Sequence, residues 1–285
     1  MTTPSITRSE TRTERPRLAR GVGPLLRDWR MRRRRSQMDV ALEAGVSPRH
    51  LSFIETGRAR PSPQAVLALA QCLDVPLRER NDLLLAAGFA PRFAQRALAD
   101  LEMQGVRDAL ERILAAHDPL PGLVLDRQWN VVLANQSAGI LGQLLPAHLK
   151  TPVINVFRAS LHPEGLARLT VNLDEWTRDL VASLRRAARR TGDLQLEALL
   201  AEVLAYPNVQ ASLARDPGTD DAPPLLLPWV LSLPAGRVSV FTTLTTFGTP
   251  RDITLDELCV ELFYPADAAT AAMLARQDSS AGAIA

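Results

Sequence analysis

The chain has 285 residues, 46% of them hydrophobic, which is enough for two separate cores, so two domains are the expected count. No apolar run reaches the ~18 residues that span a bilayer, and the N-terminus lacks an apolar signal region, so neither membrane insertion nor secretion is indicated and a cytoplasmic location is expected. The formal net charge of +2 hides an asymmetry: residues 1–60 hold 14 arginines against 6 acids, a net of +8, whereas residues 61–285 hold 19 basic and 25 acidic residues.

A positive field at one end of a chain is what counterion release and electrostatic steering toward a polyanion require. Residues 1–22 are rich in Thr, Ser, Pro and Arg with almost no large apolar side chain, so a disordered basic arm is expected. Arg8, Arg12, Arg15, Arg17 and Arg20 punctuate it. Two readings of these arginines stand, minor-groove insertion and a flexible tail that adds salt-dependent affinity. Arg30, Arg32, Arg33, Arg34 and Arg35 then end a first helix. Such a run is either a solvated face or a phosphate contact, with Arg34 and Arg35 among the candidates for the latter.

Residues 36–61, SQMDVALEAGVSPRHLSFIETGRARP, follow. Val40, Ala41, Ala44, Val46, Leu51 and Ile54 face one small core if helices cover 37–44 and 48–55. Gly45, free to take positive φ, closes the first helix, and Ser47 with Pro48 opens the second as N-cap and first-turn residue. Two short helices on a tight turn make a helix-turn-helix. Its second helix enters the major groove, so Ser47, Arg49, His50, Ser52 and Phe53 are the candidate DNA contacts. Arg49 leads, because its fork matches guanine O6 and N7, while Phe53 touches a thymine methyl or lies outside the fold. Gln37, in the first turn of the preceding helix, is placed for a phosphate.

The pattern S-Q-x-x-V-A-x-x-A-G-V-S-x-x-x-L-S-x-I-E-x-G-x-x-x-P resembles the DNA-binding domain of Xre-type, lambda-repressor-like regulators over residues 23–90. The resemblance implies a structural pair between Arg30 of the first helix and Glu55 at the end of the recognition helix. Helices over 63–73, with Val66, Leu67, Leu69, Ala70 and Leu73, and over 77–87, ended by Gly88, complete a five-helix domain. A helical linker over about 93–116, within a boundary segment 91–116, leads onward.

From Leu120 the pattern changes. LPGLVLD and RQWNVVLAN read as a hairpin around Asp126 and Arg127, with Trp129, Val131 and Leu133 alternating on one face. Helices are expected over about 136–145, 164–190 and 193–205. Strands return at 225–233, 237–248 and 253–265, with a turn at Pro234 to Arg237. In the last run Leu258, Val260 and Leu262 alternate with Glu257, Cys259 and Glu261, the signature of one buried face. The expected class is α+β: an all-α five-helix domain, then a five-stranded antiparallel sheet covered by helices over 117–275, and a flexible tail over 276–285.

LVLDRQWNVVLAN, NVFRASLHPEGLARLTVNLDEWTRDLVASLRR and ITLDELCVELFYPADAAT resemble the PAS-like, MmyB-like ligand-binding domain that Xre regulators carry. The resemblance implies a small apolar, fatty-acid-like ligand between sheet and helices. Trp129, Val131, Phe157, Trp176 and Phe241 are the candidate pocket walls, alongside Leu123, Leu125, Trp229 and Val240, although the same side chains equally suit a packed core. Arg158 and His162 are the candidate polar contacts; a helix start at His162-Pro163 is the structural alternative. Asn135 is expected to cap the helix that follows it.

Duplex DNA and a second copy of the chain are the expected partners, since two-fold related recognition helices match paired half-sites. A second domain serving only dimerisation or protein recruitment is the alternative to a sensor. His50, His117, His148 and His162 show no metal spacing, and no GxSxG, P-loop or GxGxxG occurs, so no metal, cofactor or catalysis is expected. Cys72 and Cys259 read as inert small hydrophobes.

Overall fold

In the computed structural model, residues 21–215 and 225–281 are described, so most of the basic arm and the end of the tail lie outside the described residues. The chain divides into two compact units, one of residues 1–95 with 250–256, the other of residues 96–249 with 257–285.

The first unit holds five helices: α1 Val22–Arg32, α2 Gln37–Glu43, α3 Pro48–Glu55, α4 Pro63–Cys72 and α5 Leu77–Ala86. Each of α2, α3 and α4 begins where a serine oxygen accepts a backbone N–H: Ser36 from Asp39, Ser47 from His50 and Ser62 from Ala65. Gly45 takes φ +67° in the turn, as a left-handed helix closure demands. Leu26, Val40, Leu51, Ile54, Val66 and Leu69 form the shared core. Gly23 lets α1 cross α3 at backbone distance, since a Cβ there would lie 2.2 Å from the Ile54 carbonyl oxygen. Residues 250–256 complete this unit. The Ile253 N–H donates to the Ala94 carbonyl, and Asp256 Oδ2 accepts the Leu77 N–H at the start of α5 at 2.8 Å.

The second unit starts at a 3-10 turn, Leu101–Met103, and α6 Gln104–His117, so the expected linker helix covers only part of 93–116. The elements β1 Gly122–Leu125, β2 Val131–Ala134, α7 Gln136–Gln143, α8 Ala147–Lys150, α9 Val156–Leu161, α10 Leu173–Thr191, α11 Leu194–Leu204 and α12 Pro207–Ala214 follow. After them come β3 Trp229–Leu233, β4 Gly236–Thr246, β5 Cys259–Pro265 and α14 Ala268–Ala281, the last reaching into the expected tail, while α13 Ile253–Glu257, between β4 and β5, falls almost wholly in the first unit. All neighbouring strands are antiparallel, in the order β2-β1-β5-β4-β3. This is the two-then-three, PAS-like arrangement, and the fold class is α+β.

Several elements depart from the sequence reading. The expected helix over 164–190 divides into a 3-10 turn, Leu166–Leu169, and α10. The expected strand over 253–265 begins as α13, because the Asp252 side chain accepts the Thr254 N–H and starts a helical turn. Trp129 is not a strand residue. It holds φ +65° in the Asp126 turn, where the Asp126 side chain accepts the N–H groups of Gln128 and Asn130, and its ring meets Phe157 edge-on. Finally, β5 is buried on both faces. Leu110 and Leu114 of α6 cover Val124 and Val260 on one side, while Trp176, Trp229, Val240 and Phe263 cluster on the other. Glu261, expected to face outward, is therefore buried.

Candidate functional site

The recognition helix α3 is anchored from inside and open outside. Leu51 and Ile54 lie in the core, and Glu55 receives two hydrogen bonds from the Arg30 guanidinium, 2.7 and 2.8 Å. Burial pushes the Glu55 carboxyl up, but the hydrogen bonds from Arg30 and Gln37 hold it below the usual carboxylate range. This is the pair that the resemblance implied, fixing α1 to the end of α3.

On the outer face Arg49 is exposed, with its guanidinium carbon 5.3 Å from the Phe53 ring centroid. Residues four apart share one helix face, so the Phe53 ring lies against the Arg49 guanidinium. His50 and Ser52 are half-buried beside it. Ser47 is already the N-cap, accepting from the His50 N–H at 3.1 Å.

The other DNA candidates are arranged differently from expectation. Gln37 Nε2 donates to Glu55 Oε2 at 2.7 Å, so its amide nitrogen serves the Arg30–Glu55 pair and must leave it to reach a phosphate. Arg35 donates to Glu43 and to the Cys72 carbonyl, and Arg33 to the carbonyls of Leu73 and Asp74. Both close the C-terminus of α4, whose unpaired carbonyls attract cations. Arg34, exposed with φ +54°, and Arg32, exposed with its guanidinium carbon 5.3 Å from the Trp29 ring centroid, remain outward.

The second unit contains a cavity of about 310 Å³ between the sheet and α7, α8 and α9. That is roughly twice the ~150 Å³ engineered cavity that takes up benzene. Leu123, Val131, Trp229 and Phe263 supply the sheet wall, and Leu141, Leu145, Ile154 and Leu166 the opposite one. Gln143, Lys150 and Ser160 are its polar lining residues. A smaller cavity of about 90 Å³ adjoins it, sharing Pro121, Leu141, Trp229 and Phe263 and reaching Met273 of α14.

Of the expected pocket walls, Val131, Leu123 and Trp229 line the larger cavity, whereas Trp129, Phe157, Trp176 and Phe241 do not. Trp176 lies one layer out, its ring stacked on Trp229 at 5.4 Å. Phe157 belongs to a neighbouring core with Val181, Leu184 and Leu196, and Trp129 packs at its edge. Phe241 points to the other sheet face and stacks on Tyr264, because strand side chains alternate and Val240 already faces the helices. Arg158 is committed to Glu202 through two 2.8 Å hydrogen bonds, and the pair holds the Glu202 carboxyl below its ordinary range. His162 ends α9 with Nδ1 accepting the Glu164 N–H, so it closes a helix where a helix start was the expected structural alternative. Asn135 caps α7 as expected.

Lys150 was missed. It is the only lysine in the chain, stands on the cavity rim and has the Gln143 carbonyl at 3.3 Å from its ammonium. No carboxylate pairs with it among the described residues. A single lysine among 33 basic residues was the available signal, masked by the arginine bias of the whole chain.

Glu261 is the second surprise of this unit. Its carboxyl lies on the same sheet face as Leu123, its register partner in β1. Burial pushes it up to about 7 against the lowering effect of a Thr242 hydrogen bond, and Oε2 has no hydrogen-bond partner.

Residues 22–83 match the model of a helix-turn-helix domain, and residues 106–276 match the model of the MmyB-like transcription regulator ligand binding domain. No curated protein matches the chain. No helix among the described residues is long and apolar enough to cross a membrane. With a DNA-binding helix-turn-helix unit followed by the ligand-binding unit over more than half its length, the chain belongs to the family of MmyB-like transcription regulators.

Proposed function

We propose that this regulator reads its operator through Arg49, His50, Ser52 and Phe53 of α3, as a homodimer on half-sites about one helical turn (~34 Å) apart. In the same proposal its second unit senses a small apolar metabolite of fatty-acid type. The observation that carries the sensor reading is the 310 Å³ cavity, whose walls are almost wholly hydrocarbon. Lys150 at its rim gives the head group its place: an ammonium bonded to the Gln143 carbonyl but to no carboxylate among the described residues, beside an apolar chamber, suits a carboxylate with a hydrocarbon tail. Unequal binding to two arrangements of the dimer, worth ~1–3 kcal/mol, changes operator affinity 5- to 150-fold.

The test combines operator selection from random duplexes with titration of straight-chain fatty acids and the matching alcohols. The reading expects saturable binding of the acids, a shift in operator affinity on binding, and weaker binding of the alcohols. Failure of every amphiphile to bind or copurify overturns the sensor role and leaves the second unit as an assembly module.

A further inference from the structure

His148, His162 and Glu164 have no motif spacing, yet folding brings them together. His148 stands on α8, His162 closes α9, and Glu164 follows two residues later. Each offers one ligand atom, and the three atoms all lie within 4.8 Å of one another. His148 Nε2 is 3.5 Å from Glu164 Oε2. Two ligand atoms each ~2.0–2.2 Å from a tetrahedral zinc ion lie roughly 3.3–3.6 Å apart, so this pair already has the required span. The two imidazoles meet edge to face, with centroids 5.3 Å apart.

The surroundings hold the group without using up its charge. The His162 ring packs against Tyr206 at 5.1 Å, and the Tyr206 hydroxyl donates to Glu202 at 2.7 Å. Arg158 neutralises Glu202 through its two hydrogen bonds. Glu164 is then the carboxylate that faces both imidazoles. Two nitrogens and one carboxylate oxygen suit zinc and its first-row neighbours, whereas calcium and magnesium prefer all-oxygen cages.

We infer that His148, His162 and Glu164 form a binding site for a divalent transition metal ion of the zinc class, with the remaining coordination open to water. His148 and Glu164 are more than half exposed, so an ion enters without opening the fold. His162 must adjust. Its Nδ1 accepts the Glu164 N–H at 3.1 Å, and the ion displaces that bond or takes the other ring nitrogen after the proton there is lost. A bound ion joins α8 to the turn after α9, two helices that contribute Lys150, Ala159 and Ser160 to the cavity lining.

Zinc chloride titrated into chelator-treated full-length protein, followed by native mass spectrometry and calorimetry, tests the site. The double variant Cys72→Ser/Cys259→Ser serves as the background, so that thiols do not compete. One zinc per chain is expected there, with affinity reduced at least tenfold by His148→Ala and by Glu164→Gln, and restored by His148→Cys, which supplies another zinc ligand. Thermal melting without metal checks that the exposed substitutions leave the fold intact. Equal stoichiometry and affinity in the substituted chains, or no zinc bound by the background protein, overturns the assignment.

Discussion

Replacing Glu261 by glutamine should stabilise the second unit in a pH-dependent way, and the amount follows from where the carboxyl sits. In the native fold it is 8% exposed, with one oxygen unpartnered, and burial pushes it from 4.5 up to about 7. Below pH 4.5 the group is protonated in both the folded and the unfolded chain, so it contributes no pH dependence. Between 4.5 and about 7 the unfolded chain releases its proton while the folded chain keeps it, so stability falls as the pH rises. At ~1.4 kcal/mol per pH unit, that interval amounts to about 3 kcal/mol, fully lost above pH 7. Glutamine mimics the protonated carboxyl and does not titrate. The difference in unfolding free energy between Glu261→Gln and the native chain should therefore grow from under ~1 kcal/mol at pH 5 to about 3 kcal/mol at pH 8. Urea unfolding followed by tryptophan fluorescence measures it, since Trp129, Trp176 and Trp229 all report from this unit. A difference that is the same at both pH values would refute the assignment of a buried, proton-retaining carboxyl.

Two further substitutions test the first unit. Gly23→Ala drives a Cβ into the Ile54 carbonyl oxygen, 2.2 Å away, and should cost ~1–3 kcal/mol in thermal or urea unfolding, as overpacking does; an unchanged midpoint would mean that α1 and α3 do not approach so closely. Arg49→Ala should lose ~1–3 kcal/mol on the selected operator and blur one base preference, whereas Gln37→Ala should weaken all duplexes nearly alike and also loosen Glu55. Fluorescence anisotropy on operator and random DNA separates the two, and equal losses for Arg49→Ala on both would remove it as a base reader.

The helix-turn-helix was legible because its signals are local. Ser36, Gly45, Ser47 and Pro48 mark helix ends within a few residues of the groups they satisfy, and the Arg30–Glu55 pair came with the family pattern. The five-strand count was readable from the number of apolar runs, and the PAS-like arrangement came with the family resemblance. Face assignment was not. Both faces of β5 are covered, and Phe241 of β4 is half-buried against Tyr264 of β5, so alternation could not say which side Phe241 or Glu261 would meet. Trp129 escaped for another reason: its left-handed backbone depends on the Asp126 turn and the Phe157 ring, neither of which propensity reports. The cavity walls come from Leu123 to Phe263 across the whole unit, and such long-range assembly leaves no spacing to find.

Lys150 makes the chamber chemically addressable. With no other side-chain amine in the protein, an amine-directed acylating reagent can modify only this rim position and the chain's own α-amino group. Acylation removes the positive charge while leaving the hydrocarbon walls untouched. The extent of labelling at one peptide becomes a direct readout of occupancy, and the singly acylated protein is a ready-made neutral-rim variant.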